Sequence, residues 1–173
     1  MGKEKDESVY VHGSKVAWVR MKHSGLYDLR QLMSAARAWF NGRNYYVIEG
    51  EHSEAVKGGG KESRFDWKVM RNVTDYVQFW FQFEVVIYRE LDVVVEEDGK
   101  KKRMQQGDLE VRFRTWMLKN YRKTFRGPGK EFFRQTYEKY LIKRELEGYE
   151  EKLDNEGNAL WDMIKATLGG TTR

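Results

Sequence analysis

Residues 76–91, YVQFWFQFEVVIYREL, constrain this chain more than any other stretch, because their apolar side chains recur with a period of two. Val77, Phe79, Phe81, Phe83, Val85 and Ile87 carry no polar group, whereas the intervening positions Tyr76 to Tyr88 mix rings with glutamines and a glutamate. Successive side chains of a strand leave opposite faces, so this pattern is a long strand with one buried face. A helix would scatter the same rings around its axis.

Further elements flank it. KVAWVRMK (15–22) alternates and reads as a first strand. LYDLRQLMSAARAWFNG then puts Leu29, Met33, Ala36 and Phe40 on one stripe at helical spacing, closed by Gly42. YYVIEGEH (45–52), RFDWKVM (64–70), the opening strand extended to Val95, and LEVRFRTWML (109–118) follow as strands. After GPG at 127–129, KEFFRQTYEKYLIKRELEGYEEKL reads as a long helix with Phe133, Tyr137, Tyr140 and Leu141 on its apolar side. GNALWDMIKATL (157–168) is a further short helix or a continuation beyond a kink at Gly157. The expected fold class is α+β, a single long-stranded, curved antiparallel sheet of about five to six strands packed on a long C-terminal helix, with one helix inserted after the first strand. One domain is expected over 10–168, between a disordered charged tail at 1–9 and a flexible tail at 169–173.

Parity predicts the hairpins. A loop of Asn72, Val73 and Thr74 keeps inward residues opposed and sets Arg71 against Asp75 as an ion pair. Asp98-Gly99 is a two-residue turn signal that sets Glu97 against Lys100 and Val93 against Met104. Continued unchanged, that register would bury Arg112 against Val85 and Arg114 against Phe83. One extra residue restores parity. Gly107 is the natural place for such a β-bulge, between Gln105 and Asp108, giving Val85–Phe113 and Ile87–Val111 pairs.

In this order of elements the chain resembles the START-like (SRPBCC, helix-grip) superfamily of ligand-binding proteins, over residues 15 to 153. The resemblance implies a curved sheet wrapped around a C-terminal helix with an apolar ligand between them. It is one of topology, so it assigns no functional residue.

Composition excludes several classes. A chain of 173 residues, 40% hydrophobic and 34% charged, belongs with folded single domains rather than disordered ones. No apolar run approaches the roughly 20 residues of a membrane span. The charged start MGKEKDESVY predicts no secretory signal, and Asp6 departs from the myristoylation pattern. The absence of cysteine excludes disulfides, thiolate metal sites and cysteine nucleophiles, and favours an intracellular, cytoplasmic protein.

The strongest asymmetry is RFRTWMLKNYRKTFRGPGKEFFR (112–134), which carries a local charge of +7 against +5 for the whole chain. Within it Arg122, Lys123, Arg126 and Lys130 are the candidate anion-binding residues. Phe81, Phe83, Phe113 and Tyr137 are the candidate lining of an apolar ligand cavity beneath the final helix, although large rings also fill ordinary cores. No catalytic arrangement is found. KGGGK (57–61) joins two strands and lacks the P-loop spacing, and Glu49, Glu51, His52 and Glu54 offer too few nitrogen ligands for a metal site. No cofactor is expected.

Together these features predict a non-catalytic binding protein that holds an apolar or amphipathic, lipid-like ligand with an anionic head group between sheet and helix. One alternative is a nucleic-acid-binding module using the basic stretch with Arg64, Lys68, Arg112, Arg114 and Trp116. Another is a self-assembling protein that forms a homo-oligomer through exposed Trp80, Tyr88 and Trp116.

Overall fold

The computed structural model describes residues 17–50, 52–57, 60–122 and 129–169, so the expected tail at 1–9 lies outside the described residues, as does 170–173. In chain order the elements are β1 (Val19–Tyr27), α1 (Leu29–Asn41), β2 (Tyr46–Glu49), β3 (Ser53–Lys57), β4 (Gly60–Asn72), β5 (Val77–Glu97), β6 (Lys100–Lys119), α2 (Lys130–Thr136), a π-helical turn (Tyr137–Leu141) and α3 (Lys143–Thr167). The strands form one curved antiparallel sheet of six in the order β1-β6-β5-β4-β2, with β3 also pairing β4.

The alternation of β5 decides where the core sits. Val77, Phe79, Phe81, Phe83, Val85 and Ile87 are all exposed by 1% or less, and both helices cover their face. The Asp28 side chain caps α1 by accepting from the Gln31 amide at 2.9 Å. Partial burial alone would raise the Asp28 carboxyl, but that amide and Lys102 hold it below its ordinary range. From α1, Leu32, Ala36, Trp39 and Phe40 enter the core, and from α3 Leu146, Leu153, Leu160 and Ile164 do so at helical spacing. Phe81 is ringed by Tyr45, Phe40, Trp39 and Phe113, with centroids 5.2, 5.5, 6.2 and 6.4 Å away. Burying one such phenylalanine contributes about 1.5–3 kcal/mol.

The register differs in detail from the sequence-based expectation. The Asp98-Gly99 turn forms, both residues at positive φ, and Glu97 meets Lys100 while Val93 meets Met104. The bulge lies at the level of Gly107, but the extra residue is in β5 rather than β6. Tyr88 pairs with Asp108 and Leu91 with Gln106, leaving Arg89 and Glu90 opposite Gly107. Val85 therefore meets Val111, and Ile87 meets Leu109, instead of Phe113 and Val111. Either position corrects parity; the observed one also sets Trp80 against Trp116 and Glu84 against Arg112. The β4–β5 loop is longer than expected, since pairing begins at Asn72 and Gln78. Arg71 consequently reaches Glu156 of α3, and Asp75 meets Arg122.

The C-terminal helix also breaks elsewhere than expected. α3 runs unbroken through Gly157, because Leu153, Gly157, Leu160 and Ile164 form one continuous buried stripe. The interruption comes at the π-helical turn and Ile142, whose φ of −118° leaves the helix. A π turn adds a residue and so rotates one part of a helix relative to the other. Glu138 and Tyr137 thus face the sheet, whereas Phe133, Tyr140 and Leu141 are exposed.

A Cβ on Gly107 would stand 2.9 Å from the carbonyl oxygens of both Tyr88 and Arg89. Gly107→Ala should therefore lose about 2 kcal/mol in urea unfolding, the scale of an overpacked site. Arg89→Gly, which relieves a φ of +54°, should leave stability unchanged or raise it.

Candidate functional site

Phe81, Phe83 and Phe113 come together on the inner face, Phe83 directly opposite Phe113. The space beside Phe81 and Phe83 is occupied by α1: Phe40 lies 5.5 and 6.1 Å from their rings, and Trp67 lies 5.7 Å from Phe83. Tyr137 sits apart from them, edge-on to Tyr76 at 5.7 Å.

Phe113 has a different outlook. Between α3 and the β6–β1 margin is an open cleft of about 340 Å³, within the range of small-molecule sites. Phe113, itself buried, forms its floor, and Val19 and Trp161 supply apolar walls. Thr115, Asn158 and Asp154 place polar groups around it. The helix comes close to the sheet here at Gly157, whose missing Cβ would meet Phe113 and Thr115 at 3.8 Å, ordinary contact distance. A glycine inside a helix costs about 0.5–1 kcal/mol relative to alanine. At position 157 alanine would fit in contact with Phe113 and Thr115, so packing against the sheet does not demand the glycine.

Sequence reasoning missed the cleft residues other than Phe113. Gly157 is the available signal, an isolated glycine inside a helical pattern, and it reads equally well as a kink. A second cleft, of about 430 Å³, lies beside the π-helical turn. It is lined by Lys119, Lys139 and Lys143 together with Glu138, Glu147 and Glu150, charges that offset one another.

Two half-buried clusters hold the C-terminal helices to the sheet. Tyr45 donates to Glu156 at 2.5 Å, and Arg71 reaches the other oxygen of that carboxylate at 2.8 Å. Tyr76 donates to Glu138 at 2.5 Å, and buried Lys119 pairs with its second oxygen. Burial, then the hydrogen bond to each glutamate, pushes both phenols well above their ordinary range, so each remains a donor.

The candidate nucleic-acid residues share the opposite face of the sheet. Trp116, Trp80, Met70 and Tyr46 stand in one row across β6, β5, β4 and β2. Trp80 and Trp116 are stacked, 5.7 Å apart and 10° from parallel. The next row is Arg114, Gln82 and Lys68, with Arg114 donating to Gln82 and lying over both Trp18 and Trp116. Beyond it Glu84 is buried beneath two guanidiniums, from Arg112 at 2.6 Å and Arg64 at 3.0 Å. Tyr88 is on this face too but lies opposite Asp108, eight residues along β5 from Trp80, so the three expected self-association residues do not form one patch.

Of the candidate anion residues, Lys123 and Arg126 lie outside the described residues. Arg122 is exposed and paired with Asp75 at 3.0 Å, and Lys130 is exposed at the start of α2. Arg122 comes after the end of β6, and the strand from Phe113 to Lys119 alone spans about 20 Å. The structure therefore does not bring Arg122 to Phe113. His52 stacks on Phe65 at 4.4 Å and meets Glu54, and among the described residues no group of side chains could hold a metal ion. No helix among them is long and apolar enough to cross a membrane.

The sheet order, the helix after β1 and the long terminal helix define an α+β protein compatible with a helix-grip architecture. No known family model matches the chain, and no curated protein matches it in sequence.

Removing the carboxylate beneath Arg64 and Arg112 leaves two guanidiniums without their shared partner. Glu84→Ala should destabilise the protein by about 3 kcal/mol, the scale of breaking a buried pair. Glu84→Gln, which keeps the hydrogen-bonding shape, should cost less than half of that in the same urea titration.

Proposed function

We propose that the protein is a non-catalytic binding protein for a small amphipathic molecule, held in the cleft between α3 and the β6–β1 margin. The cleft itself carries the reading, an opening of about 340 Å³ floored by buried Phe113 and bordered by Gly157 of α3. The ligand's apolar part would rest on Phe113, Val19 and Trp161, and its polar end would bond to Thr115 and Asn158. Asp154 on the same rim favours a neutral or cationic head group over an anionic one at this place. The anion-binding and apolar features thus serve different partners.

The test uses the neutral fluorophore N-phenyl-1-naphthylamine. Wild type should bind it with one-to-one stoichiometry, and Gly157→Leu, which fills the cleft, should weaken binding at least tenfold. Gly148→Leu is the control, since Gly148 lies on the same helix with nothing near its Cβ position. Equal binding by wild type and Gly157→Leu, with both folded by circular dichroism, would remove the proposal.

The tryptophan row favours a second reading, a single-stranded nucleic acid laid across the outer face. Rings at Trp18, Trp80 and Trp116 offer stacking surfaces, and Arg20, Arg64, Lys68, Arg112 and Arg114 face three carboxylates, Asp66, Glu84 and Glu110. In this reading affinity for an oligonucleotide falls steeply with salt, with a slope of about −0.7 per phosphate contact. Lys68→Ala should flatten the slope by about one contact's share. An affinity indifferent to salt would dismiss it.

A further inference from the structure

We propose that the outward face of α2 and the π-helical turn is a docking surface for an anionic lipid bilayer. The segment is amphipathic in the inverse of the usual sense. Towards the protein it turns polar groups: Glu138 accepts from Tyr76 and pairs with Lys119, and Tyr137 lies against Tyr76. Towards solvent it turns Phe132, Phe133, Tyr140 and Leu141, exposed by 70%, 65%, 71% and 73%. A helix ordinarily buries its apolar face against its own core. Here polar contacts lock the segment in the orientation that keeps the rings out, which is the arrangement an interfacial helix requires.

Charge selects the occupant. Lys130, Lys139 and Arg144 are exposed on this segment and the first turn of α3, have no ion-pair partner among the described residues, and outnumber the exposed acid of that turn, Glu145. A second copy of the chain would bring the same cations face to face and repel. A bilayer with anionic head groups meets the cations with opposite charge and accepts phenyl rings and leucine at the acyl boundary. Tyr140, with an apolar ring and a polar tip, suits the boundary itself. The proposal does not rest on the α3 cleft.

The experiment is co-sedimentation of the full chain with vesicles of phosphatidylglycerol and phosphatidylcholine in equal parts, against phosphatidylcholine alone. Wild type should partition at least tenfold more strongly onto the anionic vesicles. Phe132→Ser with Phe133→Ser should lower that partition at least tenfold; both side chains are solvent-exposed, and circular dichroism should report an unchanged fold. Lys130→Ala and Lys139→Ala should each weaken binding to anionic vesicles by about fivefold and leave phosphatidylcholine unaffected. Gly157→Leu should bind vesicles as wild type does. The proposal is overturned by equal partition onto both vesicle types, by binding indifferent to the phenylalanine pair, or by loss of binding in Gly157→Leu, which would show lipid entering the cleft instead. A dimer by light scattering that the phenylalanine substitutions convert to monomer, without vesicle binding, would assign the surface to self-association.

Discussion

The bulge that sets Arg89 and Glu90 against Gly107 decides which side chains meet across the two longest strands. Without an extra residue, parity would turn Arg112 and Arg114 towards the helices and into the core. An extra residue in β6 would keep the faces but slide every partner by two positions. Trp80 would then lose Trp116, and Glu84 would lose Arg112. With the residue in β5, those two pairs form together with Phe83–Phe113. Gly107 makes this geometrically possible, since its missing side chain leaves room for the carbonyls of Tyr88 and Arg89. The outer-face network and the floor of the cleft both descend from that one offset.

The inner face shows how the sheet's cover is shared. α1 closes the side of β4 and β5 with Trp39 and Phe40, while α3 approaches β6 at Gly157 and leaves the Val19 end of β1 exposed. Each C-terminal helical piece is then oriented by a tyrosine, a glutamate and a cation, Tyr45–Glu156–Arg71 for α3 and Tyr76–Glu138–Lys119 for the π-helical turn. Half-buried charge clusters add little net stability over apolar packing, but losing one member is costly because it strands the others. Their effect is to select one orientation among several.

Much of this was legible in the residues. The period of two at Val77–Ile87 identified the core face without error, Asp98-Gly99 identified the hairpin, and the order of elements yielded the sheet with its terminal helix. Less legible was anything set by tertiary partners. Parity requires an extra residue but is blind to which strand carries it; the choice depends on pairs such as Trp80–Trp116 that form only after folding. Arg71 was expected beside Asp75, a near neighbour in sequence, and found Glu156 instead. Phe133, Tyr140 and Leu141 have the spacing of a buried stripe, yet the π-helical turn rotates them out. The cleft was hidden for the same reason: Val19, Thr115 and Trp161 come from three separate elements, and no local pattern joins them.

The basic residues and the apolar ones at 112–134 are neighbours in sequence, which invites a single ligand with an apolar body and an anionic head. An extended strand separates them. Phe113 lies well within β6 while Arg122 and Lys130 come after its end, and the carboxylate nearest the Phe113 cleft, Asp154, has the wrong sign for an anion. The apolar groups that do accompany the later cations are those of the next helix, Phe132 and Phe133, and they face outwards. A small molecule in the cleft and an extended anionic surface against α2 therefore ask for different chemistry at different ends of one strand. The two proposed sites lie at different ends of one strand, so the two proposals can be tested independently.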